Sequence, residues 1–406
     1  MKRTAIYLAL IGLVASPPVF ASVDQALVDE MRAQIAALTQ RLNQLEANAA
    51  IPDVAANPVA DSAKVATPVA AWSDKITLSG DFRYRYESID TGNDSSRDRN
   101  RIRARLGLKA KVTDTINFNL GLASGGSDPV STNQTLGDAA STKNFRLDMA
   151  YMEWRLSENT HLIAGKMKNP FYMPNKSLLM WDGDYRPEGL AAKYDNGSFF
   201  ATAGYHFLES DNKGGRQETP EITALQAGYR TALSEDSSLT FGAGYFDIGV
   251  KGTTPLLGDL GLGNTLDDNR LFLYDYQNLE LFAELKTSMA GQPLVLFADF
   301  AQNQDADDHD TGWAVGAKFG TAKNPGTWEL GYIYQHIEAD SVYALLNDSD
   351  FGGGDTDSKG HLLKAAYAFE KGTTIGATLF FNDVGEVSRS EEFDYDRLQV
   401  DVTFKF

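Results

Sequence analysis

Arg397-Leu398-Gln399-Val400-Asp401-Val402-Thr403-Phe404-Lys405-Phe406 ends the chain. Leucine, valine or phenylalanine stands at every second position from Leu398 to Phe406, and a polar residue stands at each position between. Successive side chains of a strand point to opposite faces, so this is a strand with one apolar and one polar face. A soluble sandwich would bury the apolar face under a second sheet. A membrane barrel turns it to lipid and gives the polar face to a wet lumen.

Upstream, the same period of two begins at Lys75. Ile76, Leu78, Gly80, Phe82, Tyr84 and Tyr86 share one face, against Thr77, Ser79, Asp81, Arg83, Arg85 and Glu87 on the other. In the next segment Ile102, Ala104, Leu106, Leu108, Ala110 and Val112 oppose Arg101, Arg103, Arg105, Lys109 and Lys111. Five cations along one strand face make a poor packed interior and a natural water-filled wall. Segments of about 9–11 residues, the length of a tilted membrane strand, recur from there to the end. Short polar turns such as Thr113-Asp114-Thr115 and Glu370-Lys371-Gly372 alternate with long loops such as 124–142, 249–268 and 338–357. The pattern predicts an all-β fold, a transmembrane antiparallel barrel of about sixteen strands over residues 73–406. One segment, 145–156, is irregular: Ala150, Met152 and Trp154 share a face on which Asp148 also falls, which predicts a bulge. Closure of such a barrel pairs the last strand with the first, since each orphan polar group at an edge in lipid costs several kcal/mol. Phe404 and Phe406, ending an amphipathic strand, resemble the signal read by the outer-membrane barrel-assembly machinery.

Three regions precede the barrel. Residues 1–21 have a basic start at Lys2 and Arg3, an apolar stretch over 5–14 too short to span a bilayer, and Val19-Phe20-Ala21 before a cleavage point. That is the layout of an export signal peptide, expected in a Gram-negative bacterium whose outer membrane receives the barrel. In 22–47, Val28, Met31, Ile35, Leu38, Leu42 and Leu45 are spaced 3-4-3-4-3, which predicts a short α-helical coiled coil, periplasmic in this topology. Pro52, Pro58 and Pro68 make 48–72 an extended Ala/Pro-rich linker.

Composition narrows the chemistry. Cysteine is absent, so an exported chain here has no disulfide framework. The formal net charge of -18 argues against nucleic acid as a partner. The five histidines are scattered without ligand spacing, and no Ser/His/Asp grouping or nucleophile elbow stands in a supporting context, so neither an enzyme nor a resident metal or other cofactor is expected. The acidic stretches 305–310 and 347–357 read as solvated outer loops, with Ca²⁺ or Mg²⁺ bridging lipopolysaccharide as the alternative.

Gly165-Lys166-Met167-Lys168-Asn169-Pro170-Phe171, followed by Trp181-Asp182-Gly183-Asp184-Tyr185-Arg186-Pro187-Glu188-Gly189, stands apart from the other loops in its prolines, aromatics and paired charges. Here the chain resembles the "putative porin" family of proteobacteria, which carries a similar signature. The resemblance implies a homotrimer passing small hydrophilic solutes or ions by diffusion, narrowed by the loop after the fifth strand. Asp182, Asp184 and Glu188, with Tyr185 and Arg186 beside them, would then enter the lumen. They would face Arg83, Arg85, Arg101, Arg103 and Arg105, with Lys109, Lys111, Lys166, Lys168 and Lys193 adding to the basic side. Opposed charges across a narrow wet pore create a transverse field. The same groups could instead neutralise one another and pin the loop. An anion or phosphate-type channel and a structural outer-membrane anchor are the alternative functions.

Overall fold

The computed structural model describes Gln40 and residues 75–92, 96–210, 219–256, 261–389 and 391–406. The signal peptide, coiled coil and linker expected over 1–21, 22–47 and 48–72 lie outside the described residues, Gln40 apart.

Within the compact unit Ala70–Phe406, sixteen long antiparallel strands run in chain order. They are β1 Ile76–Asp90, β2 Arg97–Lys111, β3 Ile116–Ser124, β4 Phe145–Arg155, β5 Thr160–Lys166, β6 Glu188–Asp195, β7 Phe199–Phe207 and β8 Glu221–Ser234. The other eight are β9 Ser237–Gly249, β10 Tyr276–Met289, β11 Gln292–Asn303, β12 Thr311–Gly320, β13 Trp328–Ile337, β14 Ser358–Glu370, β15 Thr373–Val384 and β16 Phe393–Lys405. Each pairs with its neighbours in sequence, and β1 pairs with β16, so the sheet closes on itself. Phe82 lies opposite Phe404, Tyr84 opposite Val402 and Tyr86 opposite Val400 across that seam. The backbone groups of Gly80 and Phe406 exchange two hydrogen bonds of 3.1 Å, so the final residue is part of the closure.

One end carries connections of two to seven residues, and the other carries the long loops after β3, β5, β7, β9 and β13. The outward face is apolar: Leu78, Leu106, Leu190, Leu225, Leu281, Leu330 and Leu363 are all exposed. Aromatics gather toward its two rims, with Tyr194, Phe199, Tyr229, Phe241 and Trp328 near the short turns and Tyr86, Tyr205, Phe207 and Tyr245 near the long loops. An apolar band between aromatic girdles is the outer surface of a membrane barrel.

The core lies inside the ring, because loop 167–187, the described residues 250–256 and 261–275, and loop 338–357 fold into it. Phe171, Leu179 and Trp181 from the first of these pack with Phe272 from the second and with Val342, Tyr343, Leu346 and Phe351 from the third. Their partners on the wall are inward residues of the later strands, among them Ile222, Phe246, Tyr276, Ile337, Leu362 and Phe380. An apolar plug thereby packs on inward residues of the later strands, while β16, β1 and β2 gather a cluster of paired charges on their inner face.

β4 carries the expected irregularity. Its register with β3 shifts between Gly121 and Leu122, so Met149 pairs with Gly121, Leu147 with Leu122, and Asp148 is the extra residue.

Candidate pore constriction

The register of β1, β2 and β16 explains why their charges meet on one face. Arg83 lies opposite Arg103, Arg85 opposite Arg101 and Glu87 opposite Arg99, while Asp401 and Gln399 of β16 flank Arg85 and Glu87. Residues two apart on a strand share its inner face. Five arginines in such a patch repel one another unless carboxylates lie among them, and carboxylates do. Asp81 bonds both Arg103, at 2.9 Å, and Arg105, at 2.7 Å. Asp401 holds Arg85 in a two-pronged pair of 2.7 and 2.8 Å. Glu87, wholly buried, pairs with Arg99 and Arg397 and lies 3.7 Å from Arg101. Arg83 donates to the side-chain oxygen of Asn133 at 2.6 Å and stands 3.8 Å from Asp401.

Two further carboxylates come from inward loops. Asp184 accepts from Arg105 at 3.1 Å and from the Thr132 hydroxyl at 2.8 Å. Asp350 takes Arg397 at 2.6 Å, Arg85 at 3.1 Å and the Gln399 amide at 3.0 Å. Burial opposes the charge of Asp350, yet Arg397 and Arg85 hold its carboxyl below the usual carboxylate range. Asp184 behaves likewise: burial acts to raise it, and Arg103 and Arg105 bring it below the ordinary value.

The constriction-loop residues therefore divide. Asp184 reaches the arginines. Asp182 does not: its backbone N–H donates to Leu346 O at 2.7 Å, and its carboxylate accepts from the N–H groups of Asp184 at 2.6 Å and Ser349 at 3.0 Å. Burial, and then the neighbouring Asp348, push the Asp182 carboxyl well above its ordinary value. Asp348 is itself pushed up to about 6, by burial and then by Asp350. Glu188 is also off the arginine wall, paired with Lys166 at 2.7 Å. Arg186 binds Asp148 at 3.3 Å and the carbonyls of Gly183 and Tyr185 at 2.9 Å, and Tyr185 is buried against Trp181 with ring centroids 5.5 Å apart. The front of the loop is tied down independently. The Gln226 amide accepts from Tyr172 N–H at 2.7 Å and donates to Tyr172 O at 3.0 Å, while Glu284 accepts from the Tyr172 hydroxyl at 2.7 Å.

The lysines are more open. Lys109 and Lys111 have side chains 52% and 55% exposed, against 12% for Arg103, which places them where solvent reaches the wall. Lys109 lies 3.8 Å from Glu153, and Lys111 pairs at 2.8 Å with Asp114 in the adjoining turn. Lys168 is exposed and Lys193 half-buried; neither has a carboxylate within 4 Å among the described residues.

Two participants are absent from the alternation pattern. Arg146 continues the row Arg105–Ala123 onto β4 and is exposed, with no ion pair among the described residues. Strict alternation counted back from Trp154 would turn Arg146 to lipid; the extra residue at Asp148 turns it inward. Asp350 corrects the reading of 347–357 as a solvated outer loop. Val342, Tyr343, Leu345, Leu346 and Phe351 draw that segment into the barrel, and Asp348, Asp355 and Asp357 are buried with it. The apolar run Val342-Tyr343-Ala344-Leu345-Leu346 was the available signal.

Between this wall and the inward loop lies a cavity of about 350 Å³, lined among others by Ser124, Arg146, Asp148, Lys166, Asp184 and Arg186. Both signs of charge border it.

Comparison with solved structures gives the same architecture. OprB of Pseudomonas putida in its high-pH structure aligns at a TM-score of 0.57 with 14% identity, covering 82% of this chain and 95% of that one. OmpF of Salmonella typhi, in complex with daunomycin, aligns at 0.53 with 13% identity, covering 82% and 99%. No curated protein sequence matches. The model of the "putative porin" family matches residues 89–254 and 271–406. A closed outer-membrane barrel with this span of its sequence on one family model belongs to that family: the chain is a member of the "putative porin" family.

Proposed function

We propose that the barrel passes small hydrophilic solutes by passive diffusion, through an off-centre channel between the apolar plug and the charged wall. The observation that carries this reading is the contact of Asp184 with Arg105 beside a cavity open to both signs of charge. The inward loop, held by Gln226 and Glu284 in front and Leu346 and Ser349 behind, sets the width. Arg83, Arg85, Arg101 and Arg103 mainly pin the constriction, because each is met by carboxylate or amide oxygen. Arg105, Arg146 and Lys109 are the wall cations nearest to passing solute. A homotrimer in lipid and lipopolysaccharide is the proposed assembly, delivered through Phe404 and Phe406 by the barrel-assembly machinery.

A second reading, an anion-selective channel, is favoured by one observation: Arg146 faces the lumen with no ion pair among the described residues. Single-channel current across a planar bilayer under a salt gradient tests both. Conductance steps in threes and a weak reversal potential fit a general trimeric pore; a strong anion potential fits the second reading. Replacing Arg101, Arg103 and Arg105 with Ser should enlarge the conductance and move selectivity toward cations. Well-folded protein without channel activity would leave only an anchoring role.

A further inference from the structure

Most arginines of the wall are met by carboxylates, so a basic row elsewhere on the ring adds to the field that Arg105, Arg146 and Lys109 present to a solute. The register supplies a second basic row on the far side of the ring. Lys286 of β10 pairs with Val295 of β11, Val295 with Lys318 of β12, Lys318 with Gly331 of β13, and Gly331 with Lys364 of β14. Outward exposure of Leu281, Leu296, Val315, Leu330 and Leu363 fixes the parity, so all three lysines belong to the inner face. Strands two apart are about 10 Å from each other, so the ammonium groups recur at about that spacing. Only Val295 and Gly331 stand between them.

We infer that Lys286, Lys318 and Lys364 form an anion-collecting row beneath the plug, and that Lys318 and Lys364 set the ion preference of the proposed channel. The inference rests on the porin reading above. Phe297, Leu362 and Phe380 of the apolar core lie one inward position toward the loops, so the row borders the water on the short-turn side of the plug. Counter-charges are few. Lys286 pairs with Glu284 at 2.6 Å. Lys318 and Lys364 have no carboxylate within 4 Å among the described residues, and Lys364 is exposed. Glu329 shares the inner face of β13 two positions from Gly331, and Asp348 acts on Lys364 from beyond pairing distance. A lone ammonium about 7 Å from an ion in water changes that ion's local concentration about threefold before screening. Two such groups within a Debye length of each other act as one stripe. The ligand class is a small hydrated anion, chloride, phosphate or a carboxylate, held loosely enough to pass on.

The test is reversal potential in a potassium chloride gradient for the full chain, for Lys318→Gln/Lys364→Gln, and for Lys371→Gln in a short turn as control. The double variant should lower the anion-to-cation permeability ratio severalfold at 0.1 M salt, each single variant by part of that, and Lys371→Gln should leave it unchanged. At 1 M salt the difference should fade, because the Debye length falls to about 3 Å. A double variant with the ratio of the unaltered channel overturns the row while leaving the porin reading intact. An equal shift in the control overturns it as well, as a nonspecific surface effect. Absence of any channel in the unaltered, folded protein overturns the porin reading and the row together.

Discussion

Asp350 sits between Arg85 and Arg397, both almost fully buried, and its replacement would leave each of these cations with one carboxylate fewer. Breaking a buried pair from one side costs about 3–5 kcal/mol, far more than a surface pair contributes. Asp350→Asn should therefore lower thermal stability in detergent markedly, whereas Lys111→Gln, whose partner Asp114 is exposed, should change it little; a heat-modifiability series on both variants checks this. Asp182 and Asp348 give the opposite pH sense to Asp350. A carboxyl raised in the folded state stabilises it when protonated, and that contribution is lost as pH rises through the folded value, about 6 for Asp348. The contact between loops 167–187 and 338–357 should loosen between pH 5 and 7. Conductance noise should increase over that window in the native protein and lose its pH response in Asp348→Asn. None of this was visible in the alternation of the sequence, since the burial and mutual repulsion of Asp182 and Asp348 depend on two loops meeting.

At the scale of elements, the strands were legible and the loops only in part. Period-two stretches such as 76–87 and 397–406 name their own faces, because lipid and water impose opposite demands on successive side chains. The segment 145–156 also gave away its bulge through Asp148, but not the consequence for Arg146, which depends on where the extra residue falls. The loop 167–187 could be singled out by its aromatics and paired charges, yet its anchors lie on distant strands. Gln226 is one of these, and in sequence it is an ordinary polar residue of β8. Gln226→Ala would strip both hydrogen bonds from the Tyr172 backbone. Current through single channels of that variant should fluctuate more than the native current, with mean conductance up by less than twofold; steady native-like current would show that Glu284 and the aromatic contacts suffice.

For the molecule as a whole, the closing strand told most. Its apolar side continues the outward rows of β1, and its terminal residue returns two backbone hydrogen bonds to Gly80. Deleting Phe406 should cut the yield of outer-membrane, heat-modifiable barrel severalfold while leaving export unaffected, as fractionation and gel shift would reveal. Normal yield would remove the assembly role assigned to Phe406. What the pattern could not convey is how the lumen is shared. Alternation says that a residue faces inward, not whether it meets water, a plug or a carboxylate, and Phe246, Lys364 and Arg85 exemplify the three.

The seam between β1 and β16 joins residues more than three hundred positions apart, and on its inner side Arg85 grips Asp401 while Glu87 grips Arg397. A ring of strands comes undone most readily at the place where its ends were joined, because only there can one strand leave without tearing a chain connection. Here that place is clasped by charges that must all separate before the zip can run. Such a clasp adds little to equilibrium but much to waiting time, so this barrel should open slowly even where opening is favoured. Its lifetime under heat or detergent then measures the clasp rather than the wall.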